Sequence, residues 1–300
     1  MRLGFVGVGT MGAPIARRLV DAGHEVHVAD PMPAAVAALV AHGAVAAADA
    51  AAAASGADAV FLSLPGPDEV RSVVTGDRGI LRAEQPPRYV VDLSTNAPEV
   101  VRELATACRA AGVTFVDAPV SGGVAKAGTG ELSVMIGATG DDHAELEPLL
   151  KAFASVVFLV GPTGAGTVAK LVNNQLFLGA AVLVQEAYLL ASAHGLEPSD
   201  LHPIIKASSA GPYAALAPLL FGRRFDDVVF RLDIAAKDVA LAVAAAGAAG
   251  VATPVTDAAA RVYADAVEDG FGRLVFHATL KELEQRSGVE VPPLTRRRTE

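Results

Sequence analysis

The residues with the clearest chemical meaning open the chain. Gly7-Val8-Gly9-Thr10-Met11-Gly12 has the spacing G-x-G-x-x-G. It follows a short apolar run, Arg2 to Val6, that reads as a buried strand. It leads into a helical run from Met11 to Ala22 that Gly23 stops. In that context the three glycines allow a tight turn, close approach of backbone to a pyrophosphate, and close contact between helix and sheet. Thr10 and Met11 supply amides at the helix N-terminus, where the dipole favours an anion. Asp30 closes the next strand candidate, 18 residues after Gly12, near the spacing of ~20 at which an acid meets the ribose. A carboxylate there accepts from both ribose hydroxyls and repels a 2′-phosphate. Pro31 follows, where an arginine would favour NADP. The expected cofactor is therefore NAD, with NADP as the alternative.

Further polar groups fall at predicted strand ends, where ligands sit in open α/β sheets. Leu64 and Pro65 end one strand and could line the adenosine side, or simply stop the strand. Thr95 follows another and could donate to the nicotinamide ribose or amide, although Thr95-Asn96 also suits a plain turn. Asp117-Ala118-Pro119-Val120-Ser121-Gly122-Gly123 leaves a third. Ser121, Gly122 and Gly123 could present a hydroxyl and bare amides to a carboxylate, or form an ordinary glycine loop. Gly161 to Gly166 leads into a helix bearing Lys170 and Asn174, four apart and so on one face. A lysine on a mostly apolar helix is costly unless it is used or reaches out to solvent. Lys237-Asp238 sits within another apolar helical run and, taken alone, reads as an exposed charged pair.

The elements that must hold these groups alternate. Strand candidates at 2–6, 25–29, 59–64, 89–93, 113–118, 132–137 and 156–160 are interleaved with helices at 33–41 and 98–111. The alanine-rich stretch 44–57 suits a short strand and then a helix capped by Asp49. This pattern predicts an α/β class, with an N-terminal domain built on a largely parallel sheet. From Ala165 to Ala193 a helix runs for nearly thirty residues, and helical segments follow at 199–208, 213–221, 234–247, 255–268 and 272–287. The expected division is a dinucleotide-binding domain at 1–162 and an all-helical domain at 163–300, with the boundary near Gly161 to Gly164. The tail from Pro292 to Glu300 is expected to fray.

Composition narrows the classes. Lys and Arg total 24 against 33 Asp and Glu, a net charge of −9. Such a chain without a basic stripe is a poor nucleic-acid or membrane-surface binder. No apolar run reaches the ~18 residues that span a bilayer, because Gln185 and Glu186 interrupt the best candidate. The lone cysteine, Cys108, excludes an internal disulfide and a multi-cysteine metal site, so no metal is expected. It is compatible with the cytoplasm.

Four ordered motifs together resemble the β-hydroxyacid dehydrogenase family, across nearly the whole chain. They are the G-x-G-x-M-G start, Asp117 to Gly123, the run from Gly161 through Lys170 to Asn174, and Lys237-Asp238 followed by Val239-Ala240-Leu241-Ala242. The resemblance implies a Rossmann-type domain joined by a long helix to an all-α domain, and assembly as a homodimer or homotetramer. It implies a small hydroxy acid as substrate. It makes Lys170 the catalytic lysine and Asn174 the residue that orients substrate, and it gives the carboxylate to Ser121, Gly122 and Gly123. Thr95 and Lys237 would line the nicotinamide and substrate side. Ile15 and Arg17 stand where the family often has Met and Asn, a peripheral departure. Substrate choice would lie with residues 213–231. The alternatives are an imine reductase, which usually lacks the lysine, and a non-catalytic dinucleotide-binding module.

Overall fold

A computed structural model describes residues 1–294 and divides into two compact units, residues 1–171 and residues from 172 on. The first carries nine strands: β1 (Arg2–Val6), β2 (Glu25–Ala29), β3 (Val45–Ala46), β4 (Ala59–Leu62), β5 (Tyr89–Asp92), β6 (Thr114–Asp117), β7 (Val120–Ser121), β8 (Leu132–Gly137) and β9 (Ala154–Gly161). Its helices are α1 (Gly12–Asp21), α2 (Pro33–Val40), α3 (Ala50–Ala54), α4 (Pro67–Thr75), α5 (Pro98–Ala110), α6 (Gly123–Thr129), α7 (Gly140–Leu150) and the start of α8 (Ala165–Ala193). β3, β2, β1, β4, β5 and β6 lie side by side, all parallel. β8 then pairs antiparallel with β6 and β7, and parallel with β9.

The central strands β1, β4, β5 and β6 are buried almost throughout because the sheet is covered there on both faces. Val60, Phe61 and Leu62 are all fully buried, and Phe5, Ile15, Leu19, Val28 and Val116 pack in one core with Phe61. Pairing aligns the carboxyl ends of the strands in one row: Ala29, Val6, Leu62, Asp92, Asp117 and Gly137 are successive register partners. The turns after β1, β2, β4, β5 and β6 leave the sheet from this row.

The expected α/β class is what the first unit shows. Asp49 does cap α3, its Oδ1 accepting from the Ala52 amide at 2.9 Å. Three helices differ from the sequence reading. No helix is expected between the strands at 59–64 and 89–93, yet Pro67 is the first residue of α4, where a proline costs no hydrogen bond. The short α6 begins at Gly123 inside what reads as a loop. α7 is capped by Thr139 and tolerates Pro148 within it.

In the second unit the remainder of α8 is followed by α9 (Pro198–Ala207), α10 (Ala217–Leu220), α11 (Leu232–Ala248), α12 (Pro254–Glu268) and α13 (Thr279–Ser287). Leu178, Val182, Tyr188, Phe221, Val239, Tyr263 and Phe276 form its core, with Tyr188 and Phe221 stacked at 4.3 Å. The helices expected at 213–221 and 272–287 are broken: each begins in a 3₁₀ turn, at Gly211–Ala215 and at Phe271–Arg273. Residues 295–300 of the tail expected to fray lie outside the described residues.

One expectation is corrected. α8, 29 residues with an 18-residue window of mean hydropathy 1.6, is long and apolar enough to cross a membrane by length and composition. Gln185 and Glu186 interrupt the apolar run but not the helix, which runs from Ala165 to Ala193 as expected. Gln185 is fully buried, donating to the His277 carbonyl at 2.9 Å and accepting from the Thr279 hydroxyl at 2.8 Å. With Leu178, Ala181, Val182 and Tyr188 in the core, this part of α8 packs as a core helix of its unit.

His277 is buried beside Phe225 and Phe276, and neither ring nitrogen has a hydrogen-bond partner among the described residues. Burial lowers its pKa from 6.5 to about 4. The folded protein therefore holds it neutral while the unfolded chain protonates near 6.5. Stability present above that pH is lost as pH falls toward 4, by up to about 3 kcal/mol. In urea unfolding at pH 7 and pH 4, His277→Phe should lose less stability than the parent by about this amount. Parallel pH profiles for the two proteins would exclude the assignment.

Candidate active site

The glycine turn leaves the end of β1. Gly7 has φ +89°, and a Cβ added to it would lie 2.3 Å from the Ser63 carbonyl oxygen and 2.8 Å from Leu64 Cδ2. A side chain is thus excluded by both conformation and space. A Cβ on Gly12 would lie 1.9 Å from the Gly7 oxygen, so α1 starts directly against the turn. Gly9 differs: an added Cβ would meet nothing within 4 Å. Bare backbone there faces open space at the start of α1, whose first turn has no acidic residue to oppose an anion. That cradle fits a dinucleotide pyrophosphate.

Asp30 closes β2 beside it. Oδ2 accepts from the Val8 amide and Oδ1 from the Met32 amide, each at 2.8 Å. The carboxylate is oriented by the glycine turn itself, and each oxygen keeps a lone pair for a further donor. Leu64, after β4, packs beside Gly7, and its amide donates to the Ser94 hydroxyl at 2.9 Å. Pro65 is exposed next to it. Asp92, the buried last residue of β5, accepts from the Ser94 amide at 3.0 Å and from Asn96 Nδ2 at 2.9 Å. These bonds shape the turn that carries the half-buried Thr95. Gly7, Gly9, Thr10, Met11, Gly12, Asp30, Leu64, Pro65 and Thr95 thus all lie at the ends of four adjacent parallel strands.

The next strand ends at Asp117. Four residues on, Ser121 pairs with Ser133 of β8 and leads into Gly122 and Gly123, with φ +135° and +75°. Both glycines are exposed. Asp117 itself is 1% exposed. Its Oδ1 accepts from the Gly164 amide at 2.6 Å and its Oδ2 from the Thr167 amide at 2.7 Å. Burial raises its pKa to about 6, and the amides of Gly164 and Thr167 oppose that rise. Lys170, half-buried, is one turn further along α8 than Thr167.

In the second unit, Asn174 is buried and donates from Nδ2 to Asp238 Oδ2 at 2.7 Å. Lys237 Nζ lies 2.7 Å from Asp238 Oδ1. The pair is not the exposed one its sequence suggests: Asp238 is 2% exposed and faces Asn174, 64 residues away. Sequence reasoning gave Asp92, Asp117 and Asp238 no separate role. Their one signal was an acidic residue closing or interrupting an apolar run. Among the described residues, no cluster of three or more His, Cys, Asp or Glu could hold a metal ion.

A Rossmann-type unit with this cradle, followed by a helical unit, defines a nicotinamide dinucleotide-dependent oxidoreductase. The profile described as the NAD binding domain of 6-phosphogluconate dehydrogenase matches residues 2–161. The one described as NAD-binding of NADP-dependent 3-hydroxyisobutyrate dehydrogenase matches residues 164–283. The chain is 35% identical to 2-(hydroxymethyl)glutarate dehydrogenase of Eubacterium barkeri, over 97% of each chain. It is 36% identical to 3-hydroxyisobutyrate dehydrogenase of Pseudomonas aeruginosa, over 89% of this chain and 94% of that one. The Mycobacterium tuberculosis 3-hydroxyisobutyrate dehydrogenase solved with L-serine is 31% identical, with a TM-score of 0.85 over 94% of this chain and 98% of that one. An imine reductase from Pseudomonas sp., at 22% identity and a TM-score of 0.61, shares the fold alone. The chain belongs to the β-hydroxyacid dehydrogenase family.

Proposed function

We propose that this protein oxidises a small β-hydroxy acid, or reduces the matching semialdehyde, with NAD preferred over NADP and Lys170 moving the proton. The observation that carries the reading is the place of Lys170. It stands one turn beyond the point where α8 is bonded to the end of β6, in the same unit as the glycine turn and Asp30. When bound, the nicotinamide supplies or takes the hydride. Lys170 Nζ takes the substrate hydroxyl proton on oxidation and returns it on reduction. Ser121 and the amides of Gly122 and Gly123 hold the substrate carboxylate, which the exposure and positive φ of both glycines support. Asn174, fixed by Asp238, orients the substrate oxygen, and Lys237 lines the nicotinamide side. Glycine turn amides take the pyrophosphate, Asp30 the ribose hydroxyls, Leu64 and Pro65 the adenosine, and Thr95 the nicotinamide ribose.

Self-association into a homodimer or homotetramer belongs to this reading. Val172, Leu176, Leu183 and Leu190 are exposed along α8, and 176, 183 and 190 recur at sevenfold spacing. A cytoplasmic location also belongs to it, with which a single cysteine, unable to form a disulfide within the chain, is compatible.

A screen of 3-hydroxyisobutyrate, 3-hydroxypropionate, glycerate, 4-hydroxybutyrate, threonate and serine with NAD and with NADP tests the proposal. Reduction of the dinucleotide by at least one β-hydroxy acid is expected, with a higher kcat/KM for NAD. Imine reduction without oxidation of any acid in the panel would replace this reading with that of an imine reductase.

A further inference from the structure

We infer that Asp117 is a positioning residue, whose buried carboxylate ties the start of α8 to the strand ends and thereby sets where Lys170 presents its ammonium. The inference rests on the reading of Lys170 as the proton carrier.

The first amides of a helix have no partner within it, and the helix dipole makes that end electropositive. A local Ser, Thr, Asp or Asn usually supplies the cap. For α8 the cap comes from a strand, 47 residues before Gly164 and 50 before Thr167. Both carboxylate oxygens are used, at 2.6 and 2.7 Å, in the range of charge-assisted bonds.

The surroundings leave this junction no slack. Gly137 is the register partner of Asp117. A Cβ on it would lie 2.4 Å from Asp117 Oδ1 and 2.9 Å from the Pro162 oxygen. On Gly166, a Cβ would lie 2.2 Å from the Met135 oxygen and 2.9 Å from the Asp117 oxygen. The first turn of α8 therefore rests directly on the backbones of β6 and β8, with no side chain between. Asp117 also stands four residues before Ser121, while Thr167 stands three before Lys170. One carboxylate thus joins the segment proposed to hold the substrate carboxylate to the turn proposed to carry the proton. A shift of about 1 Å in such a group can cost on the order of 10²-fold in rate.

The test is a double-mutant cycle on the full chain, read as kcat and KM for the fastest acid of the panel, with NADH affinity titrated by fluorescence. Asp117→Asn keeps the shape and one acceptor oxygen but sets an NH₂ against an amide donor. It should lower kcat about 10–100-fold and leave NADH affinity at the parental value. In a Lys170→Ala background the same change should cost nothing further, because the group it positions is gone. Parental kcat in Asp117→Asn, or an equal loss with and without Lys170, overturns the inference. Should the Asn variant not fold, Gly137→Ala keeps the carboxylate but crowds Oδ1, and the same pattern is expected of it; parental kcat there also overturns it. Parental kcat in Lys170→Ala instead sinks the assignment of Lys170, whatever Asp117 does.

Discussion

Lys170→Ala should bind NADH as tightly as the parent and lose about 10²–10⁴-fold in kcat, the range for removing a positioned general acid or base. The groups proposed to take the dinucleotide lie on the turns after β1, β2, β4 and β5 and on Lys237, so its affinity should not move. The fold should not suffer either. Lys170 is only half-buried, and the start of α8 is held by Asp117 and by the close seating of Gly166. Lys170→Arg should not restore turnover, because a guanidinium keeps its proton at working pH. Steady-state kinetics beside a fluorescence titration separates the two quantities. Near-parental turnover in the alanine variant would remove Lys170 from proton transfer.

Asp30→Ala should weaken NAD binding about 10–100-fold, as expected for loss of hydrogen bonds to a charged group worth ~1.5–3 kcal/mol. NADP should lose less, because the same change removes the charge that repels a 2′-phosphate. The ratio of the two affinities should therefore move toward NADP. Part of the loss reflects the turn itself, since Asp30 also holds the amides of Val8 and Met32. Asp30→Asn keeps an acceptor for one of those amides, sets its NH₂ against the other, and so removes the charge with a smaller loss to the turn than alanine. A parent protein that already prefers NADP would show that the carboxylate does not set the choice.

What was legible in the sequence was what depends on near neighbours. The glycine turn, Asp30 at a strand end, the Asp49 cap and both ends of α8 follow from spacing and residue type within a few positions. α4 was not legible because a proline, as at 65 and 67, ends a strand and opens a helix equally well, and only the chain beyond it decides. The supporting carboxylates were not legible for a different reason. Asp117 finds its amides 47 and 50 residues on, and Asp238 meets Asn174 from 64 residues away. A carboxylate that looks exposed beside a lysine becomes a buried acceptor only when a remote helix is packed against it. Asp30, expected to touch ligand, and Asp49, a local cap, are legible in the sequence; Asp117 and Asp238, which brace α8 and Asn174, emerge only when the chain is folded.

Lys170 and Asn174 ride one uninterrupted rod that passes through residues 171 and 172 without a break. The gap between them is then dictated by helical pitch, about 6 Å from one turn to the next. It acts as a ruler: the backbone positions of the residue proposed to carry the proton and of the one proposed to orient the substrate stay one turn apart. If the proposed roles hold, the substrate oxygen is matched to a spacing of one helical turn, whatever else varies in the acid attached to it.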